Sequence, residues 1–457
     1  MKKIFASFLV VFMFGFMQSC FLQSNEKKEA KTEEVALVDG HPAWIMQGNI
    51  YEVNVRQYTA EGTFKAFEQH LKRLKDMGVQ TLWFMPINPI SKLDRKGVLG
   101  SYYAIADYKA INPEYGNLQD WKALVKKAHE MGFKVIIDWV ANHTGADHYW
   151  LKTNPDFYAK DSTGKPISPF DWTDVKKLNY ANTQLHDSMI NCMKYWITES
   201  DIDGFRCDVA AEVPAAFWSK AIADLKKTKP GLFFLAEGSV AWLHEAGFDE
   251  TYAWDEFNVM KQIAKGDRNA LSLDTVLNKI DTSFPKNALR LFFTSNHDEN
   301  SWNKADYGTM PGASHAPFAV LTQTIVRSVP LIYSGQEEPF LDSISFFYKD
   351  TIRFSKYERS SFYQTLLHLR TNNQALAANA SYKKISVGNN QALFAYAREN
   401  NGKKLLVILN LSAAPQTAVI GDYSYYGNAT NVFTGQSEAL SAKPIVMEPW
   451  AYRVYTY

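Results

Sequence analysis

The chain has 457 residues, enough for two to four domains at roughly 100–200 residues each, so its core needs no disulfide framework. Lys and Arg total 49 against 48 Asp and Glu, a formal charge of +1, which gives no basic field to neutralise phosphates and excludes a nucleic-acid partner. With 46% hydrophobic and 21% charged residues, the composition is that of a globular protein, neither disordered throughout nor a multi-span membrane protein.

Lys2 and Lys3 precede an apolar run from Ile4 to Met17, which predicts a signal peptide over residues 1–19 that is too short to span a bilayer. Met17-Gln18-Ser19-Cys20 is similar to a bacterial lipobox, with Met where Leu is usual. On that reading Cys20 is lipidated and begins the mature chain, and the protein is exported and held at the periplasmic or outer surface by that anchor alone. The other reading is an ordinary signal peptide with a chance cysteine. Residues 20–44 carry no apolar periodicity over most of their length and are expected to form a disordered tether.

From about residue 50, short β-branched or aromatic runs alternate with amphipathic stretches. Eight strands are predicted: Ile50 to Val55, Thr81 to Met85, Lys134 to Trp139, Gly204 to Asp208, Leu232 to Ala236, Glu250 to Ala253, Ala288 to Thr294 and Leu331 to Tyr333. Helical patterns run Phe64 to Met77, Leu118 to Met131, Thr183 to Glu199, Pro214 to Lys227, Leu271 to Asp281, Ala316 to Arg327 and Phe362 to Arg370. Gly78 and Gly132 fall where helix C-termini favour positive φ, and Pro214 suits a first turn. This alternation predicts an α/β fold, a (β/α)8 TIM barrel over residues 45–142 and 183–374. The stretch 143–182, rich in turn residues, is expected to be a small irregular subdomain inserted after the third strand. Beyond 375, alternating strands such as Gln391 to Arg398, Lys404 to Leu411 and Ala451 to Tyr457 predict a C-terminal antiparallel β-sandwich over 375–457.

Cys192 and Cys207 each fall inside a predicted element, and both a disulfide and two buried thiols fit that placement. The sequence has no CxxC pair, HExxH, Walker A loop or GxGxxG fingerprint, so zinc and nucleotide chemistry have no support.

In a (β/α)8 enzyme, polar residues at the C-terminal ends of strands line the catalytic mouth. The third strand ends in Asp138 through Asn142 and His143, the fourth carries Arg206 and Asp208, the fifth ends in Glu237, and the seventh runs into His297 and Asp298. Singly, an Asp ending a strand is an ordinary helix N-cap. Together, Asp208, Glu237 and Asp298 form a repulsive cluster that a fold keeps where ionisation states must be pushed apart. Hydrolysis of a glycosidic bond has that need, with one carboxylate attacking and a second, protonated, donating to the leaving oxygen. Arg206 lies two residues before Asp208 and so on the same face of the strand, suitably placed to hold that carboxylate ionised.

Four motifs in order, Asp138 to His143, Gly204 to Asp208, the isolated Glu237, and Asn296 to Asp298, resemble those of the α-amylase superfamily, glycoside hydrolase family 13, over the whole chain from about residue 45. The resemblance implies a retaining mechanism on α-glucosidic bonds, chiefly α-1,4, in starch, glycogen or maltooligosaccharides. Asp208 would be the nucleophile, Glu237 the acid and base, and Asp298 the third acid. Asp138, His143, Arg206, His297 and the stacking Tyr103 would bind the reacting sugar, with Tyr102 as the alternative to Tyr103. A transglycosylase, an α-glucosidase on short oligosaccharides and a non-catalytic glycan-binding relative are the other readings. No cofactor is needed for the chemistry. Asn142 matches a residue that commonly binds structural calcium and equally fits a hydrogen-bonded strand end.

Ala211 and Glu212 stand where many relatives have Lys-His, the loop Arg56 to Thr63 lacks an acidic ion-binding pattern, and Val175 to Asn179 only loosely matches the motif closing the inserted subdomain. Trp139, Tyr149, Trp150, Phe170, Trp172, Trp242 and Trp254 lie near strand ends or the insertion, and each is a sugar platform or a core aromatic.

Overall fold

A computed structural model describes residues 36–303, 310–339 and 342–457. The predicted leader, Cys20 and the tether to residue 35 lie outside them. Eight parallel strands form one sheet: β1 (Ile50–Val53), β2 (Thr81–Phe84), β3 (Lys134–Val140), β4 (Gly204–Asp208), β5 (Phe233–Ala236), β6 (Glu250–Tyr252), β7 (Leu289–Leu291) and β8 (Leu331–Tyr333). Their order is β7-β6-β5-β4-β3-β2-β1-β8. The barrel closes through residues flanking β7 and β8, with Val329 N donating to Arg290 O at 3.1 Å and Leu331 N to Phe292 O at 2.9 Å.

Side chains alternate across each strand, and this sorts core from site. Leu82, Phe84, Val135, Ile137, Phe205 and Phe234 pack with the surrounding helices, while Ile50, Trp83, Ile136, Phe233 and Leu235 belong to a second apolar cluster. Residues with the latter parity also include Glu52, Asp138, Arg206 and Asp208, all buried. Gly204 opens β4 where no side chain fits, since a Cβ there would lie 2.0 Å from Phe233 O.

The helices correct the sequence reading in detail. The stretch from Phe64 is two helices, Phe64–Glu68 and Leu71–Met77, the second ended by Gly78 at φ 100°. Leu118–Glu130 carries an Asn117/Asp120 capping box. Helix His315–Thr324 stops short of Arg327, because Ile325 turns extended and Arg327 has φ 60°. The helices Trp254–Lys265 and His297–Asn303 had no counterpart in the sequence reading.

The tether assignment also needs correction at its C-terminal end. Leu37–Val38 pairs with His41–Pro42 across a turn in which Asp39 and Gly40 both have positive φ, and buried His41 Nδ1 lies 3.0 Å from Asp249 Oδ1. Ordered structure therefore begins before residue 45, fixed by a two-residue Asp-Gly turn and a buried His41–Asp249 hydrogen bond.

Within 143–182, His143–Gly145 pairs antiparallel with Val175–Lys177, so this insertion has a ladder rather than purely irregular structure. At the C-terminus, β9 (Ser381–Ile385), β10 (Leu393–Asn400), β11 (Lys403–Asn410), β12 (Gly427–Asn431), β13 (Ser437–Leu440) and β14 (Tyr452–Thr456) form an antiparallel sheet in the order β9-β10-β11-β14-β12-β13. One face, with Phe394, Tyr396, Leu405, Val407, Leu409 and Val454, shares a core with the barrel helices. The other, with Leu393, Ala395, Leu406 and Ile408, lies under the short ladder Gln416–Ala418 with Ile445–Met447. Both remaining cysteines are buried free thiols.

Candidate active site

Arg206 organises the mouth of the barrel. Its fully buried guanidinium donates through Nη1 to Asp138 Oδ1 at 2.9 Å and Asp208 Oδ1 at 3.0 Å, and through Nε to the Tyr252 hydroxyl at 3.2 Å. Nη2 lies 2.9 Å from Glu237 Oε2 as an ion pair outside hydrogen-bond alignment. One cation thus serves three carboxylates, because β3, β4 and β5 are neighbours and their inward residues share a level.

The turn after β4 sets the partner of Asp208. Val209 is left-handed at φ 35°, an unusual state for a β-branched residue, and its amide donates to Glu237 Oε2 at 2.6 Å. Asp208 and Glu237 are thus held on adjacent nitrogens of one guanidinium, Nη1 and Nη2 of Arg206. Burial, and next the Glu237 charge, push Asp208 well above the usual carboxylate range. Glu237 is raised by burial, but Arg206 and the Val209 amide more than offset this and leave it below its ordinary value.

A second chain of contacts approaches from the opposite side. The Tyr103 hydroxyl donates to Asp138 Oδ2 at 3.1 Å and accepts from His297 Nε2 at 2.8 Å, while His297 Nδ1 donates to Glu52 Oε1 at 2.5 Å. Trp83 Nε1 also donates to Asp138 Oδ2, at 3.2 Å. Asp298 Oδ2 lies 3.5 Å from His297 Nε2. Burial opposes charging His297, but Asp298 and Glu52 prevail and raise it to about 9, so it is an imidazolium at neutral pH. Burial lowers His143 to about 4, which keeps that ring neutral.

These residues line a cleft of about 400 Å3, within the range of pockets that enclose small ligands. Asp208, Glu237, Asp298, Tyr103, His143 and His297 all reach it, while Arg206 and Asp138 lie beneath. Tyr102 packs under Arg56 instead, 4.2 Å from its guanidinium, so Tyr103 is the tyrosine at the site. Of the candidate aromatics, Trp172 lines the cleft and Phe170 the recess beside it. Trp139 and Trp150 are core, Trp242 and Trp254 pack against the core, and Tyr149 is exposed on the insertion, stacked on His148.

Sequence reasoning missed Glu52, which sits inside an apolar run, and Trp302, Phe346 and Phe347, which reach the cleft from outside regular strands. Asn142 is buried just after β3, and its side-chain nitrogen donates to His143 Nδ1 at 3.3 Å.

Comparison with known proteins agrees with this geometry. The α-amylase catalytic-domain family matches residues 19–175 and 167–231. α-Amylase MalA of Haloarcula japonica is 27% identical over 397 residues, covering 82% of this chain and 57% of that protein. A cyclomaltodextrinase of Thermoanaerobacter pseudethanolicus is 24% identical over 400 residues, covering 79% and 65%. The chain therefore spans less than two thirds of the length of these two relatives. The crystal structure of an α-amylase from Lactobacillus plantarum superposes with a TM-score of 0.81 at 30% identity, covering 91% of this chain and 99% of that one. Barrel, inserted ladder, C-terminal sheet and acidic mouth are thus accounted for together: the chain belongs to the α-amylase family.

Proposed function

We propose that the protein is a retaining glycoside hydrolase acting on α-glucosidic, chiefly α-1,4, bonds of starch, glycogen or maltooligosaccharides. The observation that carries this is one guanidinium spanning both carboxylates, Arg206 Nη1 at 3.0 Å from Asp208 Oδ1 and Nη2 at 2.9 Å from Glu237 Oε2. An inverting pair stands about 6.5–9.5 Å apart to admit a water and a retaining pair about 5–5.5 Å, and carboxylates held by adjacent nitrogens of one guanidinium suit the closer arrangement.

In this reading Asp208 attacks the anomeric carbon as the bond to the leaving sugar breaks, and Glu237 gives its proton to the leaving oxygen. Glu237 then takes a proton from a water that attacks the same carbon, and Asp208 departs as carboxylate. Arg206, donating to Asp208 Oδ1 at 3.0 Å, stabilises the charge on that carboxylate as it attacks and as it departs. Five acidic side chains gather around the cations Arg206 and His297, surroundings suited to a transition state positive at the anomeric carbon.

Glu237→Gln should lower turnover of maltoheptaose by about 10²- to 10⁴-fold with an unchanged melting curve, and full activity would remove the assignment. A fluorinated glucosyl donor should label Asp208. Products longer than the starting sugar would favour transglycosylation over hydrolysis. We propose in addition that Cys20 carries a lipid anchor on the exported protein, so that Cys20→Ala releases it from the membrane fraction.

A further inference from the structure

Resting on the glycosidase reading above, we infer that the cleft is blind on the donor side and that the protein takes its substrate by the non-reducing end. The polarity follows from Glu237. The acid faces the leaving group, so the acceptor lies on its side of the cleft, where a second, open recess shares Val209, Trp172 and Glu237 and continues past Phe170, Ala211 and Glu212. The donor sugar then lies toward Tyr103, His297 and Phe346, with its non-reducing end pointing away from Glu237.

That direction is walled. The loop after β2 is fixed along one edge to the insertion: the amides of Lys92 and Leu93 donate to Asp147 Oδ2 at 2.8 and 3.1 Å, Lys96 Nζ lies 3.3 Å from Asp174 Oδ1, and Lys176 Nζ lies 3.6 Å from Asp94 Oδ2. Its other edge is fixed to the loop after β8, where Leu99 N donates to Phe347 O at 3.0 Å. Gly97, at φ 64°, approaches so closely that a Cβ on it would sit 2.5 Å from Phe347 Cβ. Buried Arg56 ties the junction by donating to the carbonyls of Leu99, Gly100 and Phe346. Trp302, against Phe346 at 5.5 Å and Phe347 at 5.9 Å, continues the wall to the helix bearing Asp298. The wall thus reaches from the insertion through the loops after β2 and β8 to that helix, and on this inference the donor side holds a short end of a chain and admits no through-running one.

The test uses two maltoheptaosides, one free and one carrying an ethylidene ketal on its non-reducing glucose, with early products resolved by chromatography. The free substrate should be cleaved to one fixed short product. The ketal should slow cleavage about 100-fold or more, since one surplus methylene in a closed pocket already costs about 10–200-fold. Equal rates with mixed internal products would show an open groove and overturn the inference while leaving the glycosidase reading intact. No cleavage of either sugar refutes the glycosidase reading, and the inference falls with it.

Discussion

Replacing Glu52 by Gln tests whether the charge chain behind Tyr103 is as described. Glu52 is wholly buried and its Oε1 meets His297 Nδ1 at 2.5 Å. His297 stands at about 9 against an ordinary 6.5 despite burial, an upward shift shared between Asp298 and Glu52. The whole shift is worth roughly 3 kcal/mol at 1.36 kcal/mol per pKa unit. Glu52 contributes both its charge and a hydrogen bond, so its loss should cost up to roughly 3 kcal/mol and bring His297 back toward neutrality. The sign is fixed. A histidine whose folded pKa is raised contributes stability that is complete below about 6.5 and lost as pH rises through about 9. The gap between parent and Glu52→Gln should therefore be widest near pH 6.5 and close by about pH 9. Urea unfolding at several pH values, with histidine-selective NMR for the ring itself, reads both quantities. A gap that stays constant over that interval, or a His297 still titrating near 9 in the variant, would refute the assignment.

Tyr103→Phe keeps the ring stacked on His297 but removes the hydroxyl linking it to Asp138. A hydrogen bond to charged partners is worth about 1.5–3 kcal/mol, so kcat/KM should fall roughly 10- to 100-fold with little change in melting, and activity within twofold of the parent would contradict the link. Burial depresses His143 to about 4 and His148 and His244 to about 3. Because the unfolded chain protonates these three first, stability should fall as pH drops from about 6.5 toward 4, by up to roughly 4 kcal/mol per unit. His148→Asn, away from the acids, should remove about a third of that slope, and an unaltered slope would refute the attribution. Cys192 and Cys207 are buried and unpaired, so a reductant should leave the melting temperature of the folded domain unchanged.

All eight barrel strands were legible because each is a short β-branched or aromatic run bounded by amphipathic stretches, and the strand-end rule then found Asp138, Arg206, Asp208, Glu237, His297 and Asp298. Glu52 escaped that rule because it lies within its strand rather than at the end. Its importance comes from His297, 245 residues away, which local pattern does not encode. Trp254–Lys265 escaped because its first turn carries Asp255 and Glu256 beside Trp254 and Phe257, and its apolar stripe follows a strand of only three residues. Trp302, Phe346 and Phe347 belong to segments outside the strand pattern, and their meeting depends on how the barrel closes.

The shared packing of the C-terminal sheet has a practical corollary for anyone seeking a minimal catalyst. Phe394, Tyr396, Leu405 and Val407 fill the same interior as Phe318 and Leu366 of the barrel helices, and Arg398 reaches across to the carbonyl of Thr324. Cutting after residue 374 would strip an oily flank bare and strand backbone carbonyls without donors. The shortened polypeptide should precipitate rather than work, so the terminal module is part of the catalyst's foundation and not a removable accessory.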